Sequence, residues 1–477
     1  SAPQQQRYPQ AGSANAKVSL HHFELTGNSY ELSWDHEAYE YLISLSWQAD
    51  SDPLVTVANR FQTEFVTHAL RGQELVCVHA ISDSEFLEVI PGQPRWLNSE
   101  LVSIVDNRQT DTRELHLGER TLTPAGLQVM SVISATADFI DVIATDNPVS
   151  RKVMRIFPSG EILELTDDGV SSATAVTKVG EDAWQIITQS RLATHTRTYT
   201  LLRNDEVIHQ FDSHAEQPIV TPSVQVFETG VHQVKTAVLF PSSHVPGSQK
   251  LPILLRPYGG PHGAQVLDAA NLYSEDQWFA DQGFCVIVAD NRGTPARGPL
   301  WDHAIYQDFV NPVLEDQVNA ISDIAEKFPD DVDPNRVGIT GWSFGGYLSA
   351  LAVLARPDVF HAAVAGAPVT DWILYDTAYT ERYLGHPQNF PEVYQKNSLL
   401  ELADDLQRPL LLIHGTADDN VVFAHTLQLS SHLLAHKGEH SVLPLSGVTH
   451  MTPQEVVAEN IALTSVKFFT DHLINKS

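Results

Sequence analysis

The chain has 477 residues, enough for two to four domains, and its 29 basic and 59 acidic residues give a net charge of −30. This negative charge argues against nucleic acid or an anionic membrane as a binding partner. The charge can equally serve solubility alone. No apolar run reaches the roughly 18 residues that a membrane span needs. We therefore expect a soluble protein, either cytoplasmic or periplasmic or secreted.

The chain contains two cysteines, Cys77 and Cys285. They fall in different halves of the sequence, and Cys285 lies in an apolar run at residues 284–288. This number and placement exclude a disulfide framework, so we expect both residues to be buried free thiols.

The first half of the chain is rich in short β-type runs separated by turn signals such as Pro-Ser-Gly at residues 158–160. None of these runs has helical periodicity. Many short strands at even spacing are typical of a sandwich, a barrel or a propeller. The clearest predicted strands cover residues 41–47, 54–58, 74–78, 152–157 and 183–188.

The pattern changes near residue 235. From Leu251 onward, apolar strands alternate with helical stretches such as residues 313–328, which predicts a doubly wound, mostly parallel sheet. We therefore predict an all-β domain over residues 1–235 and an α/β domain over residues 236–477.

The most informative motif is Gly-Trp-Ser-Phe-Gly at residues 341–345. An apolar run at 336–340 precedes it and a helix-like run at 347–352 follows it. This is the context of the nucleophile elbow of an α/β hydrolase, where glycines flank the serine because a side chain would strike the neighbouring strand or helix. We expect Ser343 to be strained, at a helix N-terminus, with its hydroxyl exposed.

An elbow serine needs a base and an acid, which this fold supplies in the chain order Ser, then Asp or Glu, then His. A predicted strand at 409–413 opens into a polar loop that contains Asp418. After a predicted helix near residues 424–437 and a strand at 441–445, the next loop carries His450. We predict Asp418 as the acid and His450 as the base. Taken separately, each could equally be a loop-capping carboxylate or a surface histidine.

Five stretches of the second half carry a family resemblance: residues 258–263, 290–294, 341–345, 375–383 and 414–421. They resemble the prolyl oligopeptidase family and, within it, the dipeptidyl peptidase IV branch. Tyr-Thr-Glu-Arg-Tyr at 379–383 and Asp-Asp-Asn at 418–420 separate this branch from the oligopeptidases and acylaminoacyl peptidases. The resemblance runs from about Leu251 to the C-terminus.

The resemblance implies a catalytic role for five residues. Ser343, Asp418 and His450 would form the triad. The Tyr258 hydroxyl and the Phe344 backbone N–H would stabilise the oxyanion.

It also implies a substrate pocket. Asn420 would bind a substrate carbonyl, and a tight aromatic box would select proline, whose ring is flat, apolar and without an N–H. On packing alone, the same aromatic residues would be assigned to an ordinary core. The branch commonly has Tyr where this chain has Phe344, so this pocket lacks one hydroxyl. The pocket residues would be Phe344, Val369, Trp372, Tyr375, Tyr379 and Val421.

Together these residues predict a serine exopeptidase that releases dipeptides after a penultimate Pro, or less readily Ala. Its partners would be peptides, whose cationic N-termini suit the negative charge, and the family suggests a homodimer. No metal or organic cofactor is expected, because no His or Asp stands at zinc-ligand spacing beside a Glu base. Two alternatives stay open. One is a tripeptidyl or acylaminoacyl peptidase or an esterase on the same scaffold, and the other is a non-catalytic binding module, which the intact triad disfavours.

The β half is short for the propeller that the resemblance implies, because about 230 residues make only four or five blades where the family's ring has about eight. Residues 7–15 resemble a segment partway along that propeller. The Glu pair that anchors the substrate N-terminus in the family has no counterpart, since no Glu-Glu occurs in the sequence. We therefore expect the C-terminal part of a longer protein, with a missing propeller half, on the same polypeptide or a separate fragment, that closes the ring. The alternative is an open half-propeller with exposed strand edges.

Overall fold

The computed structural model describes residues 7–49 and 51–475, which form a β domain followed by an α/β domain. In the described residues, the β domain contains five antiparallel sheets that follow one another along the chain. Each is built from strands close together in sequence, as in propeller blades. The predicted fold class, part of a β-propeller followed by an α/β hydrolase domain, is confirmed.

The five sheets of the β domain account for strands β1 to β19. The first contains β1 (Leu20–Phe23) and β2 (Ser29–Leu32). The second contains β3 (Tyr41–Ser46), β4 (Leu54–Ala58), β5 (Glu64–Arg71) and β6 (Glu74–Ser82). The third contains β7 (Arg95–Leu97), β8 (Glu100–Asn107), β9 (Thr112–Leu117) and β10 (Arg120–Thr121). The fourth contains β11 (Gln128–Ala135), β12 (Ile140–Thr145), β13 (Lys152–Ile156) and β14 (Ile162–Glu164). The fifth contains β15 (Val170–Ala173), β16 (Thr177–Val179), β17 (Asp182–Arg191), β18 (Thr194–Arg203) and β19 (Glu206–Phe211).

The α/β domain is organised around one eight-stranded sheet in the spatial order β20-β21-β23-β22-β24-β25-β26-β27. Six neighbouring strands are parallel to one another: β23, β22, β24, β25, β26 and β27. The hairpin of β20 and β21 forms an antiparallel edge. The strands are β20 (Val224–Thr229), β21 (Val234–Leu239), β22 (Leu251–Leu255), β23 (Cys285–Asp290), β24 (Val332–Trp342), β25 (Ala362–Gly366), β26 (Leu410–Gly415) and β27 (Ser441–Leu445).

Helices cover both faces of this sheet. Alternate strand residues supply the two cores: Ile253 packs in one core with the helices at 311–327, 344–355 and 424–435, whereas Leu254 packs in the other with the helices at 274–281 and 455–469. This alternation is what a doubly wound sheet requires. The helices are α1 (Ser274–Asp281), α2 (Pro299–Asp302), α3 (Asn311–Lys327), α4 (Phe344–Ala355), α5 (Thr377–Leu384), α6 (Pro391–Asn397), α7 (Ala424–Ala435) and α8 (Glu455–Phe469).

The predicted domain boundary between residues 235 and 236 is wrong, because it falls inside β21. That strand pairs with β20 on one side and with β23 on the other, so the α/β sheet already includes Val224. An antiparallel hairpin at the edge of a parallel sheet has the same sequence pattern as the preceding β strands. The sequence pattern alone therefore groups the start of the hairpin with the β domain.

The two cysteines differ in exposure. Cys285 is buried in β23, as predicted, but Cys77 is exposed on β6. The prediction for Cys77 is wrong because β6 is the outer strand of its sheet and is mostly exposed. Among the described helices, none combines the length and apolar character needed to cross a membrane.

Candidate active site

Ser343 lies at the junction between β24 and α4. Its backbone has φ 60° and ψ −116°, a positive-φ conformation that costs energy for any residue with a side chain. A Cβ on Gly341 would lie 2.7 Å from the carbonyl oxygen of Pro257, and one on Gly345 would lie 2.5 Å from the same oxygen. Both flanking glycines are therefore required by the close approach of the backbone.

The topology brings the predicted site residues to one edge of the sheet. Parallel strands end at the same edge, and each predicted residue follows the carboxyl end of such a strand. Tyr258 follows β22, Ser343 follows β24, Asp418 follows β26 and His450 follows β27. The pocket residues from Val369 to Tyr379 follow β25, which lies between β24 and β26.

The carboxylate of Asp418 is hydrogen-bonded through both oxygens. Oδ2 accepts from Nδ1 of His450 at 2.8 Å, and Oδ1 accepts the backbone N–H groups of Asn420 at 3.0 Å and Val421 at 2.8 Å. Burial disfavours the charged form, but hydrogen bonds from His414 and His450 outweigh it and hold the pKa of Asp418 below its ordinary range. Asp418 is therefore ionised at neutral pH and holds the His450 proton on Nδ1.

Backbone contacts fix the loop that carries His450. The N–H of Ala417 donates to the carbonyl of Val448 at 3.0 Å, which joins the Asp418 loop to the His450 loop. The indole Nε1 of Trp342 donates to the carbonyl of His450 at 2.9 Å. The position of His450 is thus tied to both the acid loop and the elbow.

Nε2 of His450 is the ring nitrogen left to accept a proton from Ser343. Within the described ranges, the Ser343 hydroxyl is not hydrogen-bonded to this ring. Such bonds are often long in a free enzyme and tighten when substrate binds. The structure therefore brings Asp418 and His450 into contact and places Ser343 on the same edge without joining it to them.

The two residues predicted to stabilise the oxyanion are neighbours. The ring centroids of Tyr258 and Phe344 are 6.3 Å apart. Burial raises the pKa of the Tyr258 hydroxyl, so it stays protonated and able to donate. Phe344 is the first residue of α4, where backbone N–H groups have no acceptor within the helix. Both residues can therefore donate a hydrogen bond to a developing negative charge.

The predicted pocket residues form a continuous aromatic cluster. The Trp372 ring centroid lies 5.9 Å from Phe344, 5.8 Å from Tyr375 and 6.1 Å from Tyr379. Tyr375 and Tyr379 meet edge to face at 5.4 Å. The remaining two pocket residues, Val369 and Val421, are buried.

Asn420 lies between this aromatic cluster and the acid. The hydroxyl of Tyr375 donates to Oδ1 of Asn420 at 3.2 Å. Because the amide oxygen is used as an acceptor, the amide NH₂ is the part of Asn420 that can donate to a substrate carbonyl.

His414 was not predicted to have a role in the site. It is buried at the end of β26, with Nδ1 2.8 Å from Oγ1 of Thr426 and Nε2 2.7 Å from the carbonyl of Val421. Nε2 also lies 3.3 Å from Oδ2 of Asp418. These contacts of the ring hold in place the loop that carries Asp418, the predicted acid. The available signal was a histidine in an apolar strand, four residues before the predicted acid.

Asp290 was also missed, although it lies in one of the stretches that carry the resemblance. Its carboxylate accepts the backbone N–H groups of Gln265 at 2.9 Å and Val266 at 2.8 Å. Oε1 of Gln265 in turn accepts the N–H of Tyr258 at 2.5 Å. Asp290 therefore holds the segment that carries Tyr258, the predicted oxyanion donor. Burial raises the pKa of Asp290 to about 6, and the two N–H groups and Arg151 only partly oppose this.

We expect Asp290→Asn to change how stability depends on pH. The folded pKa of about 6 lies above the ordinary 3.8, so between roughly pH 4 and 6 the folded protein binds a proton that the unfolded chain has released. This bound proton stabilises the folded state, and the stabilisation is fully present below the unfolded pKa of 3.8. As the pH rises through 6, the protein loses this contribution of about 3 kcal/mol to its free energy of unfolding. The free energy of urea unfolding of the wild type, minus that of the variant, should fall by most of this amount, about 2 kcal/mol, from pH 4 to 7. A difference that stays constant over this range would contradict the assignment.

Two groups of His, Asp and Glu in the described residues have the spacing of metal ligands. In the group formed by Asp83, Glu85 and His303, Nη2 of Arg108 lies 2.5, 2.9 and 2.8 Å from the three ligand atoms. In the group formed by His232, Glu315 and Asp316, a guanidinium again bonds both carboxylates. These groups are held as ion pairs, and neither lies among the predicted site residues.

The β domain contacts the helix that carries Tyr379. The buried carboxylate of Glu381 on α5 accepts Nε of Arg60 at 2.6 Å and Nη2 at 2.9 Å. It also accepts the backbone N–H of Gly12 at 2.7 Å. A buried carboxylate with this bidentate partner links the two domains beside the pocket.

Two family models match the chain. The model of the prolyl oligopeptidase family matches residues 270–476, and the model of the dipeptidyl peptidase IV N-terminal region matches residues 1–122. Dipeptidyl peptidase 8 of Mus musculus is 34% identical over 293 residues, which cover 58% of this chain and 32% of the relative. Dipeptidyl peptidase 4 of Sus scrofa is 33% identical over 223 residues, which cover 46% of this chain and 29% of the relative. The matches thus span only a minor part of these relatives' own length.

Solved structures show the same fold. The crystal structure of Porphyromonas gingivalis dipeptidyl peptidase 4 matches with a TM-score of 0.87 at 23% identity, over 98% of this chain and 69% of that chain. The matched family models and this fold agree with the residues that carried the resemblance. The chain is thus similar to serine peptidases of the prolyl oligopeptidase family, on its dipeptidyl peptidase IV branch.

Proposed function

We propose that the protein is a serine exopeptidase that releases N-terminal dipeptides with Pro, or less readily Ala, in the second position. The observation that carries the proposal is the 2.8 Å hydrogen bond between Asp418 and His450 on the sheet edge where the elbow presents Ser343. A serine, a histidine and an ionised aspartate on one edge are the parts that acyl transfer needs.

In the first half of the reaction, Oγ of Ser343 attacks the carbonyl carbon of the second substrate residue, and Nε2 of His450 takes the proton of the Ser343 hydroxyl. The Tyr258 hydroxyl and the Phe344 N–H donate to the resulting oxyanion, a contribution typically worth about 3 to 4 kcal/mol per donor. Asp418 stabilises the imidazolium. The imidazolium then gives its proton to the leaving amine, which departs and leaves an acyl-enzyme.

In the second half, a water molecule replaces the leaving peptide. His450 removes a proton from that water, which attacks the ester of Ser343. The same two donors stabilise the second oxyanion, and the proton returns to Oγ as the dipeptide is released.

The aromatic cluster supports a preference for proline in the second position. A proline ring is flat and apolar, and it has no N–H that a buried pocket would leave unsatisfied. The rings of Trp372, Tyr375 and Tyr379 offer edges and faces against which it can pack. The relatives are named dipeptidyl peptidases 8 and 4, which supports release of dipeptides.

A substrate panel tests the proposal against its alternatives. We expect the protein to cleave a free Gly-Pro arylamide faster than an Ala-Ala arylamide, and an N-acetylated Gly-Pro arylamide very slowly. Release of tripeptides at a higher rate would indicate a tripeptidyl peptidase. Preference for the acetylated substrate would indicate an acylaminoacyl peptidase, and hydrolysis restricted to simple esters would indicate an esterase. Absence of all hydrolysis would support a binding module.

The same panel run on Tyr379→Ala tests the pocket. The truncation removes a ring that packs against Trp372, so kcat/KM should fall more for the Pro substrate than for the Ala substrate, because the larger ring loses more contact. Tyr379 is a cleaner probe than Tyr375, whose hydroxyl also holds Asn420. Equal losses on both substrates would assign Tyr379 to the fold instead of to selection.

A further inference from the structure

Tyr8 belongs to the segment that precedes the β sheets, yet its side chain reaches the catalytic edge. Its hydroxyl donates to the backbone carbonyl of Asn420 at 2.7 Å. Backbone hydrogen bonds hold the segment in place, since Thr377 donates to Pro9 at 2.9 Å and Ala11 donates to Tyr375 at 2.8 Å. Tyr8 is therefore presented to the site by main-chain pairing with the pocket segment.

Tyr8 completes the set of hydrogen bonds around Asn420. The N–H of Asn420 donates to Oδ1 of Asp418 at 3.0 Å, and its amide oxygen accepts the Tyr375 hydroxyl at 3.2 Å. Its carbonyl accepts the Tyr8 hydroxyl. With three of its polar groups held, the amide NH₂ points in one direction from a fixed backbone.

We propose that Tyr8 is a positioning residue that orients Asn420 toward the carbonyl of the substrate's N-terminal residue. The inference rests on the proposed function, because it assigns Tyr8 to the same substrate site. Tyr8 acts through Asn420 and does not take part in proton transfer.

The chemistry of Tyr8 suits this role. Burial raises the pKa of its hydroxyl, with the nearby Asp376 and Tyr375 adding to the effect, so the group remains a donor at neutral pH. Tyr8→Phe removes one oxygen and leaves the ring. The Asn420 carbonyl then loses its partner, so the Asn420 peptide is held less firmly, while the hydrogen bonds from Asn420 and Val421 to Asp418 remain. A misplacement of about 1 Å in a binding group lowers rates by an order of magnitude or more.

The experiment compares Tyr8→Phe with the matched control Tyr30→Phe. The Tyr30 hydroxyl likewise donates to a backbone carbonyl, that of Gly72 at 3.1 Å. This bond lies within the β domain on an exposed surface. Each protein is assayed with Gly-Pro arylamide and with p-nitrophenyl acetate, whose single carbonyl is the one attacked and which has no second carbonyl for Asn420 to bind. Asn420→Ala and the double variant Tyr8→Phe/Asn420→Ala complete a mutant cycle.

Tyr8→Phe should lower kcat/KM for Gly-Pro arylamide about tenfold, mainly through KM, and change acetate ester turnover less than twofold. In the Asn420→Ala background it should have no further effect, and Tyr30→Phe should match the wild type. Equal losses on both substrates, additive effects in the cycle, or no loss at all would overturn the role of Tyr8. A wild type that hydrolyses the ester but no dipeptidyl arylamide would overturn the proposed function itself, which is a distinguishable result.

Discussion

Replacing Ser343 by alanine is expected to abolish hydrolysis of every substrate while leaving the fold intact. Alanine keeps the Cβ and can adopt the same positive-φ backbone, so only the nucleophilic oxygen is lost. In other serine peptidases this loss costs about 10⁶-fold in kcat. The measurement is kcat on a free Gly-Pro arylamide, with circular dichroism and thermal melting to verify folding.

A matched control for this variant is Ser349→Ala on the same helix. The Ser349 hydroxyl donates to the carbonyl of Gly345 one turn earlier, so it has a local bond but no exposed nucleophile. Activity close to the wild type is expected for Ser349→Ala. Substantial turnover by Ser343→Ala would show that another group performs the attack.

Local steric demands explain why the elbow could be predicted from the sequence. The turn requires glycine at both 341 and 345, because a side chain at either position would strike the carbonyl oxygen of Pro257. Both glycines lie within five residues of chain, so the constraint is visible in the sequence. The order of strands and helices after Leu251 likewise follows from local periodicity. Once a parallel sheet is predicted, the ends of its strands must share an edge, so Ser343, Asp418 and His450 could be expected to meet.

Contacts between distant parts of the chain could not be predicted in this way. Tyr8 and Asn420 are 412 positions apart, and Arg60 and Glu381 are 321 positions apart. Neither pair has a local pattern, because a single hydrogen bond between domains imposes no periodicity on either segment. The boundary error at residue 235 has a related cause, since only the pairing of β21 with β23 assigns that hairpin to the α/β sheet.

These distant contacts connect the β domain to the candidate active site. The Arg60 and Glu381 pair holds α5, and α5 carries Tyr379 of the aromatic cluster. The segment from Tyr8 to Gly12 pairs with the chain that carries Tyr375. The walls of the pocket are therefore set by both domains, whereas the acid and base are held within the α/β domain alone.

Asp418→Asn should lower kcat by about 10⁴-fold through the tautomer of His450. The amide can keep its oxygen toward the N–H groups of Asn420 and Val421, which places its NH₂ where Oδ2 now accepts from His450. An NH₂ can only donate there, so Nδ1 must lose its proton and Nε2 must carry one. A protonated Nε2 cannot take the proton of Ser343.

Asp419→Asn is the matched control, because it makes the same chemical change at the next residue. Asp419 is exposed, whereas the side chain of Asp418 is fully buried against His450. We expect less than about a threefold change in kcat for this variant, since the hydrogen bond that holds Nδ1 of His450 is made to Asp418. Steady-state kinetics on Gly-Pro arylamide across pH 6 to 9 measures both variants. If Asp419→Asn proved the more damaging of the two, the acid of the triad would have to be reassigned to Asp419.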